Sequence, residues 1–338
     1  MKRFLFIAFC MASAIAAVAQ ESISVSGLWE FAVGDSADYK SEVVLPGMQL
    51  EDRQYMGKAW YRKSVYVPHS WTGRHVTLFL EKPHIATSVR VNGQEAGSQD
   101  WLFTPHEYDV DKFLVPGQRN TIEICVTDSL HGNRNGIAGL IELRSKAGPY
   151  IDKVTVIPYV SFGIVHVELE IGAFPRSVFY QLPDLIIGVE RADTESTPVM
   201  HFFEVDDRKV SVNVPLGLSA SQWNEFTPSL YRLGITFGDD YYETTFGMRE
   251  ISVIDGNLCI NKHLAMLRGV VDDNCEEGYF SFDEEDWAQK FKKYKDYGFN
   301  CVRFRSYCPP DAAFAVAGSQ DLPLTLFIPE GGHKLLAH

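Results

Sequence analysis

The sequence predicts a mainly β, multidomain chain: two β-sandwiches in succession, then the opening of an alternating β/α unit. Three observations carry this prediction. Strand-like alternation broken by turn residues runs from Ser26 to Leu258, no convincing long helix precedes residue 280, and a strand, a helix and a second strand follow one another between Leu264 and Phe304. At 338 residues the chain is too long for one ordinary domain. Hydrophobic residues at 46% and charged residues at 22% exclude a disordered chain, and 22 Phe and 15 Tyr favour β structure.

The first 19 residues read as a targeting segment. Lys2 and Arg3 precede an apolar run from Phe4 to Ala17, and Ala17-Val18-Ala19 offers small residues for cleavage before Gln20. The run is shorter than the roughly 20 residues that a bilayer requires, so a cleaved signal peptide and a secreted or periplasmic protein, with no membrane association afterwards, are expected. Phe9 before Cys10 is too bulky for a lipid-attachment motif.

The net charge is −13, and loss of Lys2 and Arg3 would make it more negative still. With no clustered Lys and Arg, nucleic acid is not a partner, and the acidity reads as a solubility feature. Past the leader stand Cys125, Cys259, Cys275, Cys301 and Cys308, an odd number without a C-x-x-C pair, which argues against a disulfide framework or a metal site. Phosphate-loop, dinucleotide, nucleophile-elbow and zinc-protease motifs are missing from the sequence, so no cofactor is expected.

In the first block, Val76–Leu80, Ile122–Val126 and Val165–Ile171 read as strands. Asn92-Gly93 accepts the positive φ angles of a type I′ hairpin, and Pro116-Gly117 marks a further turn. The second block, from about Val165 to Leu258, has Val210, Val212 and Val214 alternating and candidate strands at Tyr231–Phe237 and Tyr241–Phe246, which suits an immunoglobulin-like sandwich. Gly172-Ala173-Phe174-Pro175 is either a linker or a turn between strands. Beyond it, Ser281-Phe282-Asp283-Glu284 reads as a capping box with Ser281 as the cap. The following helix buries Trp287, Phe291 and Tyr294 and closes at Gly298. Asn300–Phe304 is the next strand, Pro309-Pro310 starts an Ala-rich helix, and Leu322–Ile328 forms a third strand.

Read together, several segments resemble family 2 glycoside hydrolases of the β-galactosidase and β-glucuronidase type. They are Gly27-Leu28-Trp29 with Phe31, Trp60-Tyr61-Arg62, Val89-Arg90-Val91-Asn92-Gly93 and Gly117-Gln118-Arg119-Asn120 in the first block. In the second they are Trp223 with Pro228-Ser229-Leu230-Tyr231-Arg232-Leu233, and Phe246-Gly247-Met248-Arg249. Asn261 with Leu267-Arg268-Gly269 follows, Lys262 standing where the family has Gly, and then Gly298-Phe299-Asn300-Cys301-Val302-Arg303. Ser306-Tyr307-Cys308-Pro309-Pro310 resembles one branch, with Arg305 in place of its His and Tyr307 in place of its Trp.

The resemblance implies a jelly-roll, galactose-binding-like sandwich over 20–164, an immunoglobulin-like sandwich over 165–260 and the first units of a (β/α)8 TIM barrel over 261–338. It also implies a retaining exo-β-glycosidase acting on an oligosaccharide or glycan. Such chemistry needs two carboxyl groups about 5–5.5 Å apart. In the family these are glutamates on later barrel strands, one preceded by Asn, and no segment here matches either. Glu276-Glu277, Glu284-Glu285 and Glu330 are poor substitutes. A complete barrel takes about 250 residues, so the piece after residue 261 is expected to be an incomplete barrel that exposes apolar surface, packs weakly and is inactive alone. Active sites of such barrels lie at the carboxyl ends of the strands, which nominates Asp272, Asp273, Arg303 and Arg305 as substrate-side residues, Arg303 matching the family arginine beside the nucleophile. Trp101 and Tyr108 are the candidates for stacking on sugar rings. The alternatives are a carbohydrate-binding accessory module or the non-functional product of a truncated or frame-shifted gene.

Overall fold

The computed structural model describes residues 20–49, 57–84, 86–100, 104–127, 135–174, 182–193, 197–224, 229–272, 281–304, 309–320 and 324–326. The expected leader, Trp101, Asp273, Arg305, Cys275, Cys308 and Glu330 lie outside these residues.

The architecture is mainly β. Strands β1 (Gln20–Ser24), β12 (Ile141–Lys146), β6 (His75–Leu80) and β9 (His106–Asp109) form one sheet in that order. Facing it is a sheet ordered β3 (Ser41–Leu45), β2 (Gly27–Val33), β5 (Lys58–Tyr66), β10 (Arg119–Thr127), β7 (Ala86–Val91) and β8 (Gln94–Gln99). A short pair, β4 (Gly47–Gln49) with β11 (Asn135–Ile137), flanks them. Alternation places Trp29, Tyr61, Leu78, Val89, Ile124 and Leu143 in one core, and the buried Trp29 satisfies its Nε1–H on the Val25 carbonyl at 3.0 Å.

The expected hairpin is present, with Asn92 at φ 52° and Gly93 at φ 78° between β7 and β8. Asn92 does more than turn the chain. Its Nδ2 donates to Asn120 Oδ1 at 2.8 Å and to the Phe113 carbonyl at 2.9 Å, and its Oδ1 accepts from Thr121 N at 2.9 Å. Asn120, fully buried, accepts from Val115 N at 2.7 Å and donates to the carbonyls of Val115 and Gln118. Two of the recognised motifs are thus halves of one interlock that satisfies the backbone of the Pro116-Gly117 turn.

On the outer face of the six-stranded sheet, Glu42, Glu30, Arg62, Glu123, Arg90 and Glu95 form one rank across the strands, each opposite the next. Arg62 Nε lies 2.5 Å from Glu30 Oε2, and the Arg62 guanidinium sits 4.0 Å above the Tyr39 ring, whose hydroxyl donates to Glu123.

The second core begins earlier than the break expected at residue 165. Strand β13 (Tyr150–Tyr159) pairs with β14 (Ile164–Gly172), which pairs with β17 (Lys209–Pro215), and β13 brings Ile151 into this core with Val165, Val167 and Leu169. The chain passes between the two cores at Ala147-Gly148-Pro149, where Gly148 has φ 62°. The second sheet of this core is ordered β16 (Val199–Phe203), β15 (Leu185–Arg191), β18 (Leu230–Phe237) and β19 (Asp240–Gly247). The alternating valines and the two later candidate strands fall in β17, β18 and β19, as expected.

A small sheet of β20 (Ile251–Ile254), β21 (Asn257–Ile260) and β22 (His263–Leu264) follows. Asn261 and Lys262 make its second turn at φ 50° and 67°. Asn261 is suited to this conformation, and its side chain accepts from Glu250 N and donates to the carbonyls of Trp223 and Met248. Lys262 is not suited, because a Cβ in the left-handed region crowds the carbonyl. Lys262→Gly is expected to raise stability by about 0.5–1 kcal/mol, read as a higher urea midpoint at unchanged slope. No gain would show that the turn relaxes without strain.

The last described part is a parallel sheet, β23 (Gly269–Asp272), β24 (Cys301–Phe304) and β25 (Leu324–Leu326), with helices α1 (Glu284–Asp296) and α2 (Asp311–Gln320). Trp287 and Phe291 of α1 and Ala313, Val316 and Ala317 of α2 pack against Val302 and Phe304, with Tyr294 and Val270 alongside. The cap of α1 differs from expectation. Asp283, not Ser281, is the N-cap, its carboxylate accepting from Glu285 N at 2.9 Å, because the Ser281 hydroxyl is engaged with Asp286. At the other end Gly298 (φ 83°) donates to Lys295 O and Phe299 N donates to Tyr294 O, the paired bonds of a Schellman motif. Asn300 then joins the strand entrances, donating to Met266 O and accepting from Arg268 N at 2.6 Å.

Candidate functional site

The candidate site lies at the carboxyl ends of the parallel strands β23 and β24, the end at which barrels of this kind carry their active sites. Strand alternation sorts the nominated residues. Val302 and Phe304 point into the helix-side core, so Arg303 between them projects from the opposite face, where it is exposed and stands opposite Val271, itself 53% exposed.

Asp272 does not share that face. It follows Val270, which packs with the helices, at two-residue spacing, and is buried beneath α1. Lys290 Nζ lies 2.5 Å from Asp272 Oδ2, and the Tyr294 hydroxyl donates to the same oxygen at 3.3 Å. Burial, then the Asp272 charge, raises the Tyr294 pKa. The substrate-side role expected for Asp272 therefore gives way to a buried ion pair that fastens α1 to β23. Lys290 and Tyr294 were missed as its partners, although their four-residue spacing puts them on one helix face.

Tyr108 is buried as well, its ring in the first core and its hydroxyl bonded to Thr87 Oγ1 at 2.6 Å and to the Thr87 carbonyl at 3.0 Å. Burial pushes its pKa up to about 12. No face of the ring is open for a sugar. A wide hollow of about 550 Å³ between Gly148, Pro183 and Gly238 contains Asp184 and Asp239, but neither an aromatic ring nor a cation lines it, so it lacks the elements of a sugar site. Among the described residues no group of three His, Cys, Asp or Glu side chains could hold a metal ion, and Cys125, Cys259 and Cys301 are buried.

The first sandwich also reaches this opening. Lys82, in the loop after β6, donates from Nζ to the carbonyl of Pro309 at 3.0 Å. Pro309 lies between β24 and α2.

Comparison with known proteins bears on what this arrangement belongs to. Residues 13–135 match the family model described as glycosyl hydrolases family 2, sugar binding domain. The chain is related to family 2 glycoside hydrolases. Among curated family 2 relatives, a β-glucuronidase of Streptococcus agalactiae is 22% identical over 288 residues, covering 74% of this chain and 47% of that protein. A β-galactosidase of Priestia megaterium is 24% identical over 325 residues, covering 87% and 31%. In structure, the β-D-glucuronidase of Dictyoglomus thermophilum superposes with a TM-score of 0.73 at 21% identity, over 92% of this chain and 58% of that one. The matches span 31–58% of the length of these three proteins.

Proposed function

We propose that the chain supplies the two sandwiches and the opening βα units of a secreted, retaining exo-β-glycosidase that removes terminal sugars from glycans. On this reading residues 20–146 are a jelly-roll sandwich, 150–260 an immunoglobulin-like sandwich and β23 to β25 the first strands of a (β/α)8 barrel. The observation that carries it is the parallel pair β23–β24 with Arg303 exposed on the face opposite both helices, in a chain whose fold matches a β-glucuronidase almost throughout. In a closed barrel that face lines the interior near the mouth. A guanidinium there orients a neighbouring carboxylate and keeps it ionised for attack on the anomeric carbon. The accessory-module reading loses support because Tyr108, one of its two stacking candidates, is buried.

On this reading, which rests on the resemblance to family 2 glycoside hydrolases, the reacting acids are assigned to βα units that follow β25 in such an enzyme. Two measurements test this. The 338-residue polypeptide on its own is expected to leave aryl β-glucuronides and β-galactosides intact; hydrolysis abolished by replacing one of its own carboxyl residues would overturn the assignment. The coding sequence downstream of residue 338 is expected, in one of its three frames, to specify further βα units with two glutamates, one preceded by Asn. Without them the exo-glycosidase reading fails.

A further inference from the structure

We infer that Lys82 is a positioning residue through which the first sandwich holds the root of α2 at the barrel mouth. The inference rests on the reading above for the meaning of the mouth, but its geometry stands independently. Lys82 projects from a segment with little freedom. Glu81 N donates to Leu140 O at 2.9 Å, and Leu140 N returns a 2.9 Å bond to the buried Glu81 carboxylate. Ala138 N donates to Lys82 O, Pro83 bridges to Ile137, and His84 N donates to Gly136 O. A Cβ on Gly139 would lie 2.6 Å from Glu81 Oε2, so only glycine permits this close approach.

From that fixed base the ammonium spans to Pro309, a residue 227 positions away in sequence. Pro309 and Pro310 are both buried, and Pro310 O accepts from Ala313 N in the first turn of α2. Neither proline has an N–H, so this stretch cannot anchor itself by donating and relies on groups that come to its carbonyls. Lys supplies a charged donor on a long stem, which strengthens the bond while allowing the reach. Removing it would leave a carbonyl of a buried residue short of this partner and uncouple α2 from the sandwich. The first sandwich thus acts as a fixed post for one wall of the mouth, and Lys82 acts through Pro309 rather than on substrate.

The test is amide hydrogen exchange of the full chain, comparing wild type with Lys82→Met and Lys82→Arg. In Lys82→Met, exchange over residues 311–317 is expected to rise on the order of tenfold, with β5 and β10 unchanged, and Lys82→Arg is expected to restore slow exchange. Unchanged exchange at 311–317 in Lys82→Met would overturn the inference, and so would an equal rise throughout the sandwich. Because no substrate is involved, its failure would leave the glycosidase reading untouched, and failure of that reading would leave this coupling measurable.

Discussion

Replacing Lys290 by Met is expected to destabilise the parallel βα part by about 3 kcal/mol, seen as cleavage of the region beyond residue 265 at protease levels that spare both sandwiches. The Asp272 side chain is 1% exposed, and the ammonium 2.5 Å away is its charge partner, itself partly open to solvent. Without Lys290, the Asp272 carboxylate loses this charge partner and keeps the longer 3.3 Å bond from the Tyr294 hydroxyl, a neutral donor. The double variant Asp272→Leu with Lys290→Met is expected to recover most of the loss, because apolar packing replaces a buried pair without leaving a charge behind. If the single and double variants are equally labile, the pair does not hold α1 in place and the assignment of Asp272 as a structural residue falls.

Asn120→Leu is expected to cost the first sandwich about 2–4 kcal/mol, measured by urea unfolding. Leucine fills the same space but makes none of the four bonds of the amide. It removes the partner that Asn120 gives to the N–H and C=O of Val115, the Gln118 carbonyl and one N–H of Asn92, and puts an apolar group where the fully buried amide tied the turn together. A change below about 0.5 kcal/mol would mean that water replaces the amide there and that the interlock is dispensable.

The strands were legible because half-buried antiparallel sheets write their geometry as period-2 alternation, and Asn92-Gly93 and Gly298 mark conformations that few residues adopt. What stayed hidden has physical causes. The allegiance of β13 could not be read, since a strand with one apolar face suits either sandwich until its partner is known. The direction of Asp272 was equally hidden: β23 has four residues, and alternation gives two faces without saying which one the helices cover. Lys82 left no local signal because its partner lies in another part of the fold. The asparagines at positions 92, 120, 261 and 300 were visible as motif letters, but their work is done by amide groups on distant backbone, which spacing does not reveal.

The rank of charges across the six-stranded sheet has a consequence for how the chain avoids folding wrongly. Solvated ion pairs of this kind add little to stability, and β10 sliding two residues along β5 would keep Ile122, Ile124 and Val126 on the inward face. That slide would set Glu123 opposite Trp60 or Ser64 and separate it from Arg62. From Glu30 to Glu95 the alternating sign therefore penalises the misaligned sheet more than it rewards the aligned one, and acts as a ruler against which neighbouring strands are matched.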